Sequence, residues 1–456
     1  MATDEPIENV TQAAAWLESL INLERDPSLR SGRFDLEPIR RLLERLDHPE
    51  AGLSIVHVAG SKGKGSTCLF AEAILRTGGE LVGTFTSPHL ERWTERFRLD
   101  GREVEGEELA HVVETMRPHV ELMRREDPTH APTFFDATTA AALILFARAG
   151  VDRALLEVGL GGRLDSTNVV EPASTCVTQI ELEHTDRLGD TLAAIAGEKA
   201  GILKSGVPCV AGRLEASAEA VVVARAEEVG APLRRLGHEF DAVELEAGSE
   251  AFQASCPEGT GRGFLYRDAG GLEACLGLRV LGSHQIDNAA LAVAAVGNLP
   301  GWSDSKLIES ARIGLLEAHL PGRLELLQES PRVLVDSAHT ARSAMALRRV
   351  LDETEVGVQI FVLSMSRDKN AKAVLSALIS ADSKIWLTRA EPHRSADPRE
   401  LARLCQSLAP GCSVQWEEDP RIAIEAARRA CGPDDLLCCS GSVYLAGIAR
   451  AVLGRG

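Results

Sequence analysis

"HVAGSKGKGSTCLFAEAILRTGG", His57 to Gly79, sets Gly60, Gly63 and Gly65 around Lys62 and Lys64, between two apolar segments. Before it, "LSIVHVA" (Leu53 to Ala59) is short, apolar and β-branched, the pattern of a buried strand. After it, Ser66 to Arg76 carries apolar residues at helical spacing, and Gly78-Gly79 stop the helix. Strand, glycine loop, helix is an arrangement that cradles phosphate. Glycines let backbone N–H groups approach phosphate oxygens, and the helix N-terminus adds positive potential. The string Gly60-Ser61-Lys62-Gly63-Lys64-Gly65-Ser66 is not the strict GxxxxGK[ST] pattern, so the reading rests on strand–loop–helix context. It assigns Lys64 to the β- and γ-phosphates and Ser66 to magnesium or phosphate. The alternative is a glycine-rich turn with solvated lysines.

Working outward, strands are expected at Leu81 to Thr86, Arg153 to Gly159 and Ser174 to Ile180. Helices are expected at Phe134 to Gly150 and in "DTLAAIAGEKAGIL", the latter capped by Asp190. Alternating strands and helices imply a largely parallel sheet covered on both faces. Ahead of them, Val10 to Leu23 and "FDLEPIRRLLERL" are expected to fold onto this sheet. Phe240 to Leu281 is Gly-rich, acidic and alternating, and reads as a β-meander edge; the helix "IDNAALAVAAVGNL" follows. "LPGR" (Leu320 to Arg323) marks the expected boundary between a domain of residues 1–319 and one of residues 320–456. Beyond it, strands near Val333 to Asp336, Gln359 to Ser364, Lys384 to Thr388 and Leu436 to Cys439 alternate with helices near Arg342 to Asp352, Ala371 to Ile379, Pro398 to Leu408 and Ile422 to Cys431. Asp397 before Pro398 is a cap and first-turn pair. The fold class is therefore α/β: a P-loop-type, mostly parallel N-terminal domain, then a smaller Rossmann-like α/β domain.

Composition narrows the partners. A net charge of -18 over 456 residues disfavours nucleic acid and anionic membranes, and 4% aromatic content disfavours base-stacking platforms. The longest apolar run, Ala140 to Ala147, falls far short of the roughly 20 residues that span a bilayer. The acidic "MATDEPIENV" is not a secretory signal. Ten cysteines without a CxxC pair read as reduced core residues of a cytosolic protein. Glu157 closes an apolar strand, where a carboxylate is costly unless paired or metal-bound; a solvent-facing strand end is the alternative. Asp336 falls at a strand's C-terminal end, where open α/β sheets place ligand contacts.

The glycine loop resembles the nucleotide loop of the Mur ligase superfamily and, within it, the folylpolyglutamate synthase/dihydrofolate synthase family. The likeness continues through "TFTSPHL" (Thr84 to Leu90), "EVGLGGRLDSTN" (Glu157 to Asn168), "LEHT" (Leu182 to Thr185) and "GEKAGILK" (Gly197 to Lys204). It runs on through "GSHQIDNAALA" (Gly282 to Ala292), "LPGRLE" (Leu320 to Glu325), "VLVDSAHT" (Val333 to Thr340), "SRDK" (Ser366 to Lys369) and "GSVYLAG" (Gly441 to Gly447). Where the family typically has Thr-Asn-Gly-Lys-Gly-Ser, Leu-Asp-His-Thr and Asp-Gly-Ala-His-Asn, this chain has Lys62, Glu183, Ser337 and Thr340 as departures.

The resemblance implies an ATP-dependent ligase that joins glutamate to a pterin acid (dihydropteroate, folate or both) through an acyl phosphate. It implies ATP contacts from Gly60, Gly63, Lys64, Gly65, Ser66, Asn288, Arg323 and Asp336, with His339 near the incoming glutamate or the intermediate. Two magnesium sites are implied, drawing on Ser66, Ser87, Glu157, His184 and a carbamate formed on Lys199; the bland reading of Lys199 is a solvated helix lysine. Catalytic roles thus fall to Lys64, Lys199, Asp336 and His339. Phe34, Asp35, Phe135, Asp136, Leu164, Asp165 and Ser166 match the pterin pocket, although Phe134 and Phe135 also suit ordinary core. A monomer is implied. Two other readings stay open: the same chemistry on another acid, and a non-catalytic nucleotide-binding switch. The polar groups kept in apolar strands argue against the switch.

Overall fold

The computed structural model describes residues 6–22, 35–259, 261–354 and 356–454, which divide into two compact units. The first comprises Met1–Arg279 and Gln285–Ala318; the second comprises Val280–His284 and His319–Gly456.

The first unit is built on β1 (Ile55–Ala59), buried at every position. Around it run β2 (Val82–Phe85), β3 (Phe97–Leu99), β4 (Arg102–Glu103), β5 (Arg153–Glu157), β6 (Ser174–Val177), β7 (Cys209–Ala211) and β8 (Leu233–Arg235), in the order β4-β3-β2-β5-β1-β6-β7-β8. The neighbours β2-β5-β1-β6-β7-β8 are parallel; the β2–β3 and β3–β4 pairs are antiparallel. After β1 the chain adds strands on one side and later crosses to the other, so β1 lies at the topological switch point where such sheets bind ligands. Val58 pairs with Glu157 on one side and with Cys176 on the other. The segments leaving β1, β5 and β6 therefore emerge together at one end.

Helix Lys64–Thr77 packs against helix Asp304–Glu317 so closely that a Cβ on Gly314 would stand 2.6 Å from the Ala73 carbonyl oxygen. The N-terminal helices Val10–Glu18 and Glu37–Arg45 do join this unit's core. The second buries Pro38, Ile39, Leu42 and Leu43 along one face, as an amphipathic helix does.

Two expectations need correction. Strands β9 (Phe240–Glu244), β10 (Arg262–Asp268) and β11 (Glu273–Leu278) are an antiparallel sheet of their own, not an edge of the large sheet. They pair with each other along their length, and a single bridge, Leu236 to Phe240, links them to the neighbouring strand segment. The helix carrying Lys199 spans Leu192–Ala200, and its cap is Thr191, not Asp190. Thr191 has the extended backbone a cap needs, and its hydroxyl accepts from the Ala194 N–H.

The second unit holds β12 (Glu325–Glu329), β13 (Arg332–Val335), β14 (Gln359–Leu363), β15 (Lys384–Leu387), β16 (Ser413–Trp416) and β17 (Leu436–Ser440), in the order β12-β13-β17-β14-β15-β16. All pairs are parallel except β12–β13. Asp397 caps helix Pro398–Leu408, accepting from the Arg399 N–H. The ten cysteines are free. Among the described residues no helix is long and apolar enough to cross a membrane.

Candidate active site

The loop after β1 is shaped by its glycines and clamped by the segment after β6. Gly63 has φ +90° and immediately precedes helix Lys64–Thr77, a conformation side chains disfavour. A Cβ there would overlap Asn288 Oδ1, and one on Gly60 would overlap Thr178 Oγ1. The Ser61 N–H donates to the Gln179 carbonyl at 2.6 Å, and Thr178 Oγ1 donates to the Lys62 carbonyl at 2.6 Å. Ser61 Oγ also donates to the Glu181 carbonyl and accepts from the Glu181 N–H. Asn288 is held by Nδ2 donating to Gln285 Oε1 at 2.9 Å. Lys64 Nζ folds back to donate to the Gly60 carbonyl at 3.0 Å. Thr178 carries no signal of its own in the sequence beyond being a polar residue that closes an apolar strand.

Glu157, at the end of β5, is 5% exposed, which excludes the solvent-facing alternative. Its Oε2 accepts from the Ser87 N–H at 3.1 Å and would lie 3.3 Å from a Cβ on Gly65, next to the buried Ser66. A buried carboxylate at the mouth of the glycine loop offers hard oxygen donors, which fits magnesium.

Lys199 is 1% exposed, so it is not a solvated helix lysine. Its Nζ donates to Glu183 Oε1 at 3.1 Å, and Glu183 Oε2 lies 4.0 Å from Lys62 Nζ. Burial pulls the Lys199 ammonium down to about 8; Glu183 opposes that, and Lys64 and Lys62 add to it. Burial pushes the Glu183 carboxyl up, but Lys199, Lys64, Lys62 and His184 together hold it below the usual range. His184 is exposed and left-handed at φ +46°, at the start of the short helix Thr185–Leu188. Among the described residues no group of three or more His, Cys, Asp or Glu is placed to hold a metal. An ammonium has no lone pair to give, so the second expected magnesium set does not fit Lys199 as it stands.

Of the residues matched to the pterin pocket, Phe34 lies outside the described residues. Asp35 is exposed and accepts from the Glu37 N–H at 2.9 Å, opening helix Glu37–Arg45. Phe134 is core, edge-on to Trp93, whereas the half-buried Phe135 ring lies over Gly159 and 5.9 Å from Phe85. Asp136 accepts from the Thr133 N–H and Oγ1 in a capping box and from Ser166 Oγ at 2.6 Å. Asp165, beside the half-buried Leu164, accepts from the Leu160 and Thr167 N–H groups and from Thr167 Oγ1 at 2.5 Å. Burial raises both carboxyls, Asp165 to about 6.

His57 was not singled out by sequence. It is fully buried in β1, with Nε2 2.8 Å from Thr167 Oγ1. Thr167 spends its proton on Asp165, so His57 must donate from Nε2, leaving Nδ1 as a buried acceptor without a hydrogen bond. Burial, with Lys204 nearby, lowers its pKa to about 3.

In the second unit, Asp336 follows β13 and accepts from the Leu324 N–H and the Ala338 N–H, each at 2.8 Å. Arg323 Nη1 contacts Ser337 Oγ. His339 Nδ1 lies 2.8 Å from the Ser337 carbonyl and therefore carries its proton there. Thr340 caps helix Ala341–Asp352 through Ser343. The structure thus joins Lys62, Lys64, Glu183 and Lys199 in one unit, and Arg323, Asp336, Ser337 and His339 in the other.

The Mur ligase middle domain family matches residues 58–296, and the Mur ligase glutamate ligase domain matches residues 322–443. The chain is 34% identical over 443 residues to the dihydrofolate synthase/folylpolyglutamate synthase of Bacillus subtilis, covering 95% of this chain and 96% of that one. It is also 34% identical to a probable bifunctional folylpolyglutamate synthase/dihydropteroate synthase of Haloferax volcanii, but spans only 49% of that protein's length. Among solved structures, folylpolyglutamate synthase of Mycobacterium tuberculosis complexed with ADP superposes with TM-score 0.85 at 29% identity, covering 98% of each chain. Escherichia coli FolC in complex with DHPP and ADP gives 0.79 at 29% identity, covering 96% of this chain and 97% of that one. With its glycine loop, its buried strand-end carboxylate and this span of similarity, the chain belongs to the dihydrofolate synthase/folylpolyglutamate synthase family of Mur ligases and is an ATP-dependent ligase.

Proposed function

We propose that the protein joins L-glutamate to a pterin-bearing carboxylic acid, dihydropteroate, folate or both, in the cytosol and as a monomer. The acid's carboxylate oxygen attacks the γ-phosphorus of ATP, and ADP leaves. The glutamate amine then attacks the acyl carbon of the acyl phosphate; inorganic phosphate leaves, and the amine's proton is lost to solvent. The carrying observation is the glycine loop with Lys64 folded over it and Glu157 alongside. Backbone N–H groups and Lys64 bind and orient the β- and γ-phosphates, which is most of what phosphoryl transfer asks of a protein. Magnesium, held by Glu157, Ser66 and Ser87, supplies charge neutralisation on the transferring group. Asn288, Arg323 and Asp336 complete the nucleotide contacts, and His339 serves the incoming glutamate. Residues 1–319 act as the ATP-binding domain and residues 320–456 as the glutamate-ligase domain. The acid lies by Asp35, Phe135, Asp136, Leu164, Asp165 and Ser166, a reading supported by a relative solved with DHPP.

Lys199 takes up carbon dioxide. Its neutral amine forms an N–C bond and one proton is released; the resulting carbamate would offer the oxygen donors of a second magnesium site, and His184 a ring nitrogen. For this the Glu183 contact must be given up. Burial favours the step by lowering the ammonium's pKa to about 8, so neutral amine is available near neutrality.

The test is ADP release with glutamate and dihydropteroate, tetrahydrofolate, another pterin acid or a cell-wall precursor as acceptor. Turnover with dihydropteroate or a folate is expected. Turnover with the cell-wall precursor alone overturns the folate reading, and turnover with another pterin acid alone replaces the acceptor.

A further inference from the structure

We propose that Glu325 is a positioning residue, which fixes Arg323 for the nucleotide phosphates by stitching down a left-handed turn. The proposal rests on Arg323 contacting ATP, as argued above.

The turn Leu320 to Glu325 has two left-handed residues, Gly322 at φ +62° and Leu324 at φ +49°. Glycine adopts this freely; leucine does so at a cost and persists only where its surroundings impose it. The surroundings here are specific. The Gly322 N–H donates to Glu325 Oε2 at 2.7 Å, and the Gly322 carbonyl accepts from the Ser337 N–H at 3.0 Å. The Arg323 N–H donates to the Leu320 carbonyl at 3.2 Å, and the Leu324 N–H donates to Asp336 Oδ2 at 2.8 Å. Each N–H from Gly322 to Leu324 thus has an acceptor, and two of the three acceptors are carboxylates. The Leu324 side chain is 3% exposed and lies over Gly282, where a Cβ would come within 2.6 Å of it.

Glu325 is held as tightly as it holds. It is 8% exposed, with Arg450 Nε at 2.8 Å and His319 Nε2 at 3.2 Å from its two oxygens. A buried ion pair of this kind is a poor source of net stability, because desolvating the charges offsets their attraction. It is a good source of geometry. Arg450, on the terminal helix Val443–Leu453, fixes the carboxylate; the carboxylate fixes Gly322; and Gly322 sets the direction in which Arg323 leaves the chain. Arg323 is then caught at its tip by Ser337 Oγ. An arginine ordered at both ends before the ligand arrives loses less freedom when it binds phosphate.

The test is ADP affinity of the full-length protein by titration calorimetry, for Arg323→Ala, Glu325→Ala and the double variant, with Glu325→Gln and Arg450→Ala alongside. Arg323→Ala is expected to weaken ADP about tenfold, Glu325→Ala by a similar factor, and the double variant no more than Arg323→Ala alone, because Glu325 acts through Arg323. Glu325→Gln can still accept from Gly322 and should fall between wild type and Glu325→Ala. Arg450→Ala should weaken ADP about threefold, and only when Arg323 is present. Losses that add in the double variant, or wild-type affinity in a cooperatively melting Glu325→Ala protein, overturn the proposal. If Glu325→Ala does not fold, Glu325→Gln and Arg450→Ala decide by the same criterion. Wild-type affinity in Arg323→Ala would instead refute the reading of Arg323 on which the proposal rests.

Discussion

Three lysines, Lys62, Lys64 and Lys199, all lower the pKa of one carboxylate, Glu183, and each has a different consequence. Lys64→Ala should abolish ADP release, whereas Lys62→Ala should retain most of it, since Lys64 spans the loop and Lys62 leans on Glu183; the reverse result in the same assay would exchange their roles. At Lys199 the pH dependence has a definite sign. Because its ammonium sits at about 8, the fraction of neutral amine able to attack carbon dioxide grows as pH rises through about 7 to 9, and bicarbonate stimulation of activity should rise with it. Peptide mass analysis after alkylative trapping should show carbon dioxide plus one alkyl group added at Lys199 in wild type, and no such adduct in Lys199→Ala. At His57 the sign is opposite in effect. The folded protein holds this ring neutral down to about 3 while the unfolded chain protonates it near the ordinary histidine value of about 6.5, so the unfolded state binds more protons between them and stability falls with falling pH. The stability difference between wild type and His57→Gln should shift toward the variant by about 1.4 kcal/mol per pH unit below about 6, measured by urea unfolding. Residue identities gave away Lys64 and Glu157 because glycines and a misplaced charge advertise them. They did not give away His57 or Thr178, whose roles depend on neighbours 110 and 119 residues distant along the chain.

Among the elements, the glycine loop has a backbone that leaves little room for change. Gly63→Ala places a methyl in a left-handed conformation and against Asn288, so nucleotide affinity should fall at least about tenfold. Adding Asn288→Ala removes the clash but not the φ of +90°, so it should not restore binding in a titration with ADP. This element was legible because strand, glycines and helix are each local signals. The same holds for β1, β2, β5 and β6, whose apolar runs record burial on both faces. Strands β3, β4, β8 and β16 are short and largely unburied, and left no such record; pairing with a neighbour is what makes them strands. Helix Gly106–Glu126 carries Pro118 in its interior, a residue that ordinarily breaks the helical pattern. The cap at Thr191 was missed because Asp190, one residue earlier, is an equally good cap by chemistry, and only backbone geometry distinguishes them.

For the whole molecule, chain order and folding unit do not coincide. Helices His284–Gly297 and Asp304–Glu317 follow the separate antiparallel sheet in sequence, yet Thr77 Oγ1 donates to the Ser310 carbonyl at 2.9 Å and Trp302 Nε1 donates to Glu80 at 2.9 Å. A fragment ending at Arg279 should therefore show no cooperative melt, whereas one extended to Ala318 should, by differential scanning calorimetry. Two α/β units were legible from the restart of strand–helix alternation after Leu320. That residues 280–284 belong with the later unit was not, because five residues carry no periodicity to read. Their placement bears on recombination. The later unit is not a cassette that can be lifted out at one joint: it consists of two separate pieces of chain, and the polypeptide passes between the units at three points. A chimera that takes residues 319–456 from a relative but keeps its own 280–284 would mate foreign and native surfaces at Gly282 and Leu324. A bulkier residue at either position would jam that seam, whatever the quality of the two parents. Exchange of the glutamate-side half among these ligases is therefore a two-segment graft, and descent by a single crossover at the apparent boundary would leave misfits there for later mutations to repair.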